Sequence, residues 1–100
     1  MRKTVFSVLL LAIVGLLCSS AGKRPVTLFM VGDSTMADKE ELDISPERGW
    51  GQLFPTYLTG NIVVENHARN GRSTKSFIAQ GRWAEVMNRV KKGDIVLIQF

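Results

Sequence analysis

This sequence of 100 residues has a single cysteine, a single histidine, three prolines, and no apolar run long enough to span a bilayer. The lone cysteine, Cys18, excludes an internal disulfide framework, and its place in the N-terminal apolar stretch argues against a thiol enzyme. The charge is also modest. Thirteen Lys and Arg stand against nine Asp and Glu, and Arg2 and Lys3 fall in the first few residues, so the remainder carries only about +2. Such a balance gives no footprint for nucleic acid. There are no internal repeats and no low-complexity segments.

The N-terminal segment reads as a secretory leader. Arg2 and Lys3 form a positive start, Val5 to Leu17 an apolar core, and Ser19, Ser20 and Ala21 the small residues of a cleavage site. Cleavage after Ala21 is expected, with export to the periplasm or the medium and no other membrane association. Lipoprotein anchoring at Cys18 is disfavoured, because Leu17 stands where such a signal places a small residue. Residues 22–100 then form the domain portion. The sequence stops at Phe100 within the apolar run Ile95 to Phe100, so it is expected to be the N-terminal part of a longer protein.

Val26 to Val31 is largely apolar without alternation, the pattern of a strand covered on both faces. Gly32 is expected to turn the backbone sharply and to deliver Asp33 and Ser34 at the strand's carboxyl end, where open parallel sheets bind ligands. Ser34 is thus a candidate nucleophile; a serine that merely caps the following turn is the alternative. Thr35 to Arg48 reads as a charged surface loop. Trp50 to Leu58 has helical periodicity, with Pro55 imposing a kink or a late start. Ile62 to Asn66 is a second strand. His67 to Thr74 is a loop holding Asn70-Gly71, and Ser76 to Gln80 is a short helical turn. Arg82 to Val90 is a helix closed by Lys91, Lys92 and a C-terminal glycine, Gly93, and Asp94 to Phe100 is a third strand. Strand, helix, strand, helix, strand with long crossovers specifies the first half of a doubly wound α/β sheet.

Gly71 follows the second strand as Gly32 follows the first. A glycine there lets a backbone N–H come close to a ligand, as an oxyanion hole requires, although an ordinary Asn-Gly turn would look the same. Taken together, Gly32-Asp33-Ser34, the strings Gly-Asp-Ser-Thr-Met-Ala-Asp (32–38), Pro-Glu-Arg-Gly-Trp-Gly-Gln (46–52) and Asn-Gly-Arg-Ser-Thr-Lys-Ser-Phe (70–77) resemble the SGNH (GDSL-type) esterases, in particular the rhamnogalacturonan acetylesterase branch.

That resemblance implies a flavodoxin-like α/β/α sandwich with strand order 2-1-3 and a carbohydrate O-acetylesterase without metal or organic cofactor, acting on acetylated pectic polysaccharide or oligosaccharide. Ser34 would be nucleophile and oxyanion donor, and Gly71 the second donor, with Asp33, Asn70 and Arg72 near the substrate. The family's third-block asparagine and its Asp-x-x-His pair have no counterpart here, so residues 1–100 alone are expected to be inactive. His67 is expected to be satisfied locally rather than to act as the base. Arg69, Arg72, Lys75 and Arg82 could form a basic rim for uronate carboxylates, or pair with Glu65, Glu85 and Asp94. Trp50 and Trp83 are expected in the core. Two rivals stay open: a metallophosphoesterase-like hydrolase using Asp33, and a non-catalytic carbohydrate-binding module on the same scaffold.

Overall fold

The computed structural model describes residues 24–100; the leader, Cys18 and the expected cleavage site lie outside the described residues. Three parallel strands, β1 (Val26–Gly32), β2 (Ile62–Asn66) and β3 (Ile95–Gln99), form one sheet in the order β2-β1-β3. Val26 is level with Ile62 and Met30 with Asn66 on one side of β1, and Leu28 with Ile95 and Gly32 with Gln99 on the other. This is the expected α/β architecture and strand order. β1 lies in the centre, paired on both edges, and its residues from Leu28 to Gly32 are all buried.

The two faces of β1 sort its side chains. Leu28 and Met30 point to one side, where they meet Met36, Ala37 and Ala68, with Phe54, Leu58, Val64 and Leu97 packed around them. Phe29 and Val31 point to the other and meet Phe77 and Val86, flanked by Trp83, Val90 and Val96. Two apolar layers on one strand exclude water from both sides of its ladder and give the three-layer arrangement.

The first crossover holds a four-residue helix α1 (Trp50–Leu53), which tightens into a 3₁₀ turn over Phe54–Tyr57. Pro55 lies in the first turn of that 3₁₀ segment, where its missing N–H is not needed. The expected helix over Trp50 to Leu58 is therefore split, not kinked. The second crossover holds α2 (Thr74–Ala79) and α3 (Arg82–Arg89). Helix α2 begins earlier than the expected Ser76 because Ser73 and Ser76 form a reciprocal cap. The Ser73 side chain accepts from the Ser76 N–H at 3.2 Å, and the Ser76 hydroxyl accepts from the Ser73 N–H at 2.9 Å.

Two further boundaries differ from expectation. Helix α3 ends at an extended Val90, so Gly93 does not cap it; with φ of 93° it serves the turn into β3. Asp94 precedes β3 and knots that turn instead. Its Oδ1 accepts from the Thr27 N–H at 3.0 Å and from Arg24 Nη1 at 3.0 Å, and its Oδ2 from the Lys91 N–H at 2.9 Å. Strand β3 is at the sheet edge, with Ile95 and Ile98 50% and 58% exposed.

Candidate active site

The ladder between β1 and the chain after β2 continues past the strands proper. The His67 N–H donates to the Met30 carbonyl at 2.8 Å and the Arg69 N–H to the Gly32 carbonyl at 3.1 Å. This carries Asn70 and Gly71 to the same sheet edge as Asp33 and Ser34, as the matching glycine turns imply.

The Ser34 turn is a single helical turn headed by Asp33. The Asp33 carbonyl accepts from the Met36 and Ala37 N–H groups at 3.2 and 3.0 Å, and its carboxylate Oδ1 accepts from the Thr35 N–H at 3.0 Å and the Thr35 hydroxyl at 2.9 Å. Asp33 is thus in the capping position and Ser34 in the first position of the turn. The Thr35 N–H and hydroxyl bonds hold the Asp33 carboxyl below the usual carboxylate range. Ser34 is exposed, and neither its hydroxyl nor its N–H has a hydrogen-bond partner among the described residues.

Gly32 has a different task from the one expected. It is the last residue of β1 and has no positive φ. A Cβ there would stand 2.3 Å from the Gln99 carbonyl oxygen and 3.1 Å from Met36 Sδ. The glycine admits the end of β3, not a sharp turn. Gly71, in contrast, adopts φ of 72° with open space around the missing side chain. Its N–H has no acceptor among the described residues. It therefore presents a free donor on the turn beside Ser34, in a conformation that side chains disfavour.

The loop after Ser34 is less superficial than its charge suggests. Met36 and Ala37 are buried in the core. Asn66 Nδ2 donates to the Met36 carbonyl and to Asp38 Oδ1, each at 3.0 Å, while Asn66 Oδ1 accepts from the Ala68 N–H. Gly49 and Gly51 bring the next segment against Met36 and Ala37, and the Trp50 N–H donates to the Thr35 carbonyl at 2.9 Å. Trp50 is not a core residue. It is 37% exposed, stacks edge-on against Phe54, and donates from Nε1 to Gln99 Oε1, which lies 3.2 Å from the Thr35 hydroxyl oxygen. Trp83 does pack on the core.

Two residues that the sequence reading passed over are at this edge: Gln99, which ties Trp50 to the Ser34 turn, and Lys39, which joins the two turns. Lys39 Nζ donates to the Ser34 carbonyl and to Asn70 Oδ1, the latter at 3.0 Å. Its signal in the sequence was only one charge among many in a polar loop.

Arg72 donates from Nη1 to the Asn70 carbonyl at 2.7 Å and from Nε to Gln80 Oε1 at 3.0 Å; Arg82 Nε reaches the same Gln80 oxygen at 2.9 Å. None of Arg69, Arg72, Lys75 and Arg82 is ion-paired among the described residues: Glu65 is taken by Arg89 at 2.7 Å and Asp94 by Arg24. A cleft of about 680 Å³ runs between the 38–47 loop and this rim, with Lys39, Asn70, Arg72 and Arg82 among its walls; Ser34 is not part of its lining.

His67 is engaged by its own neighbours, Glu65 and Phe29. Its Nε2 is 3.2 Å from Glu65 Oε1, and its ring lies 5.9 Å from that of Phe29. No group of three or more His, Cys, Asp or Glu able to hold a metal ion occurs among the described residues. The rival built on Asp33 therefore finds no ligand set there, and one oxygen of that carboxylate is engaged by Thr35.

Comparison with known proteins gives a consistent picture. No protein-family model matches the chain. It is 40% identical over 78 residues to the rhamnogalacturonan acetylesterase RhgT of Bacillus subtilis, covering 78% of this chain and 33% of that protein. It is 36% identical over 76 residues to the rhamnogalacturonan acetylesterase of Emericella nidulans, covering 74% of this chain and 26% of that protein. A crystal structure of the YxiM protein of Bacillus subtilis superposes with a TM-score of 0.69 at 29% identity, over 77% of this chain and 22% of that one. The chain thus spans about a third or less of the length of these relatives.

Proposed function

We propose, on the premise that this chain belongs to the SGNH esterase family beside the rhamnogalacturonan acetylesterases, that the whole protein is an exported carbohydrate O-acetylesterase. Its substrate is an acetylated pectic polysaccharide such as rhamnogalacturonan. The Ser34 hydroxyl oxygen attacks the acetyl carbonyl, and its proton passes to a histidine, which the family resemblance puts in an Asp-x-x-His pair outside these 100 residues. The Ser34 and Gly71 N–H groups hold the tetrahedral oxyanion. Its collapse releases the sugar hydroxyl, which takes back the proton. Water then hydrolyses the acetyl-serine to acetate and free Ser34.

One observation carries the reading: two backbone N–H groups without acceptors, on adjacent turns of one sheet edge, one belonging to an exposed serine. The unpaired basic rim suits a polyanion of uronic acids, since guanidinium groups pair carboxylates bidentately. A hydroxyl nucleophile needs a base. Ser34 has none among the described residues, which supports the expectation that residues 1–100 alone do not turn over.

The test is acetate release from acetylated rhamnogalacturonan by the full-length protein and its Ser34→Ala variant, with fluorophosphonate labelling in parallel. Loss of both acetate release and label in Ser34→Ala supports the proposal. Undiminished release by that variant defeats it. Binding of the polymer by both forms, with acetate from neither, would mark a carbohydrate-binding module instead.

A further inference from the structure

Lys39 lies where the two turns meet. Its side chain is 9% exposed, although it sits in a loop with four neighbouring carboxylates in sequence. An ammonium has three donors and no acceptor, and removing it from water is costly unless those donors find oxygen. Here one donor goes to the Ser34 carbonyl and one to Asn70 Oδ1; Glu47 Oε1 is 3.7 Å away on a largely exposed side chain. The lysine backbone is fixed in turn by Gln52 of α1. The Lys39 N–H donates to Gln52 Oε1 at 3.1 Å, and the Lys39 carbonyl accepts from Gln52 Nε2 at 3.4 Å.

We infer that Lys39 is a positioning residue of the acyl-transfer site, a clamp that fixes the Ser34 turn against the Asn70-Gly71 turn. Neither the Ser34 carbonyl nor the Asn70 amide neutralises a charge, so both bonds serve geometry. They join the residue carrying one candidate oxyanion donor to the residue immediately before the other. β1 and β2 fix where the two turns start, but each turn projects past its strand, and Gly71 has open space around it. Lys39 closes that gap from the side. The inference rests on the acetylesterase reading for its kinetic consequence, and on the two hydrogen bonds alone for its structural one.

The experiment uses the full-length protein with p-nitrophenyl acetate. Lys39→Met keeps the length of the side chain and removes its donors. Misplacement of a donor by about 1 Å costs on the order of a hundredfold, so kcat is expected to fall roughly ten- to a hundredfold. KM should stay within about twofold, since so small a substrate does not reach Lys39. Lys39→Cys should be equally impaired. Alkylation with 2-bromoethylamine, which rebuilds an ammonium at the same reach, should restore kcat, and alkylation with iodoacetamide should not. Amide hydrogen exchange should quicken at the bonded Met36, Ala37 and Arg69 N–H groups in Lys39→Met.

Unchanged kcat together with unchanged exchange at both turns overturns the inference, as does equal rescue by the two alkylating reagents. If Lys39→Met does not fold, Asn70→Ala removes the acceptor from an exposed position. It must then show the same loss of kcat and the same faster exchange at Arg69, and parental values overturn the clamp. Turnover that survives Ser34→Ala would sink the acetylesterase reading alone, because the exchange comparison still decides whether Lys39 joins the turns.

Discussion

Replacing Gly49 by alanine tests how closely the Ser34 turn is packed. Gly49 has φ of −75° and ψ of 144°, which alanine adopts without strain, so only the added carbon matters. That Cβ would stand 1.9 Å from the Ala37 carbonyl oxygen and 2.7 Å from the Met36 carbonyl oxygen, where ordinary contact begins near 3.4 Å. Relief therefore needs a separation of about 1.5 Å between two backbone segments, with no flexible side chain to yield. The displaced residues, Met36 and Ala37, are buried in the core beneath β1 and are joined to Ser34 through Thr35, and the Trp50 N–H bond to the Thr35 carbonyl is in the path. Overpacking of this kind costs about 3 kcal/mol, the upper end of the usual range, because backbone meets backbone. A shift of order 1 Å at Ser34 should lower turnover by about a hundredfold. Gly60→Ala is the control: φ is 94° with nothing near the added carbon, so it costs about 1 kcal/mol through strain alone and leaves turnover unchanged. Thermal unfolding and p-nitrophenyl acetate hydrolysis of full-length variants read both effects. A Gly49→Ala protein that melts with the parent and keeps its kcat would refute the close backbone approach.

Two other outcomes are expected. N-terminal sequencing of secreted protein should begin at Gly22, as the small residues Ser19 and Ala21 dictate, and material beginning at Met1 would contradict it. Asp94→Ala should lower the thermal midpoint by freeing the Thr27 and Lys91 N–H groups. Because those same bonds depress the Asp94 pKa, its contribution is complete above the ordinary carboxylate range and is lost as pH falls through the depressed value. An Asp94→Ala midpoint that equals the parent's at pH 7 would show that the knot before β3 contributes nothing.

What could be read from the sequence followed periodicity and turn chemistry. The apolar run of β1, the β-branched run of β2 and the helical stripe of α3 each depend on neighbours close in sequence. The strand order 2-1-3 was expected only through the family resemblance. The contacts that build the site are of another kind. Met36 gave no sign of being a core residue because it opens a loop rich in charge; its partners include Leu28, Met30 and Ala68. Gly32 looked like a turn residue and Gly49 and Gly51 gave no signal, yet each is needed where another backbone or side chain approaches. Lys39 and Gln99 reach across 31 and 64 positions to Asn70 and Thr35, distances at which no local pattern exists. Trp50 obeyed helical spacing and still faces outward, since α1 has only four residues and its indole finds Gln99 at the rim.

Asp33 separates a turn-building carboxylate from a ligand-binding one, and pH makes the distinction measurable. Its Oδ1 is engaged by the Thr35 N–H and hydroxyl, which, in that order, lower its pKa, with the nearby Lys39 charge adding slightly. The folded value thus lies below the unfolded one of about 3.9. The stability it contributes is present above that unfolded value and disappears as pH falls through the folded value. Around neutrality Asp33 is ionised in both states, so it cannot supply a titrating limb in the pH–rate profile there. Asp33→Asn keeps an oxygen able to accept from Thr35 and should hold the turn. Its kcat should stay within about threefold of the parent, with the acidic limb of the profile unmoved. Asp33→Ala has no such oxygen; the turn loosens, and kcat should drop roughly tenfold or more through the displaced Ser34. If Asp33 instead bound a cation or a substrate hydroxyl, Asn would fail as badly as Ala, KM would rise in both, and a chelator or the sugar portion of the substrate would move the result. Equal losses in the two variants would therefore overturn the capping role and reopen the metal reading.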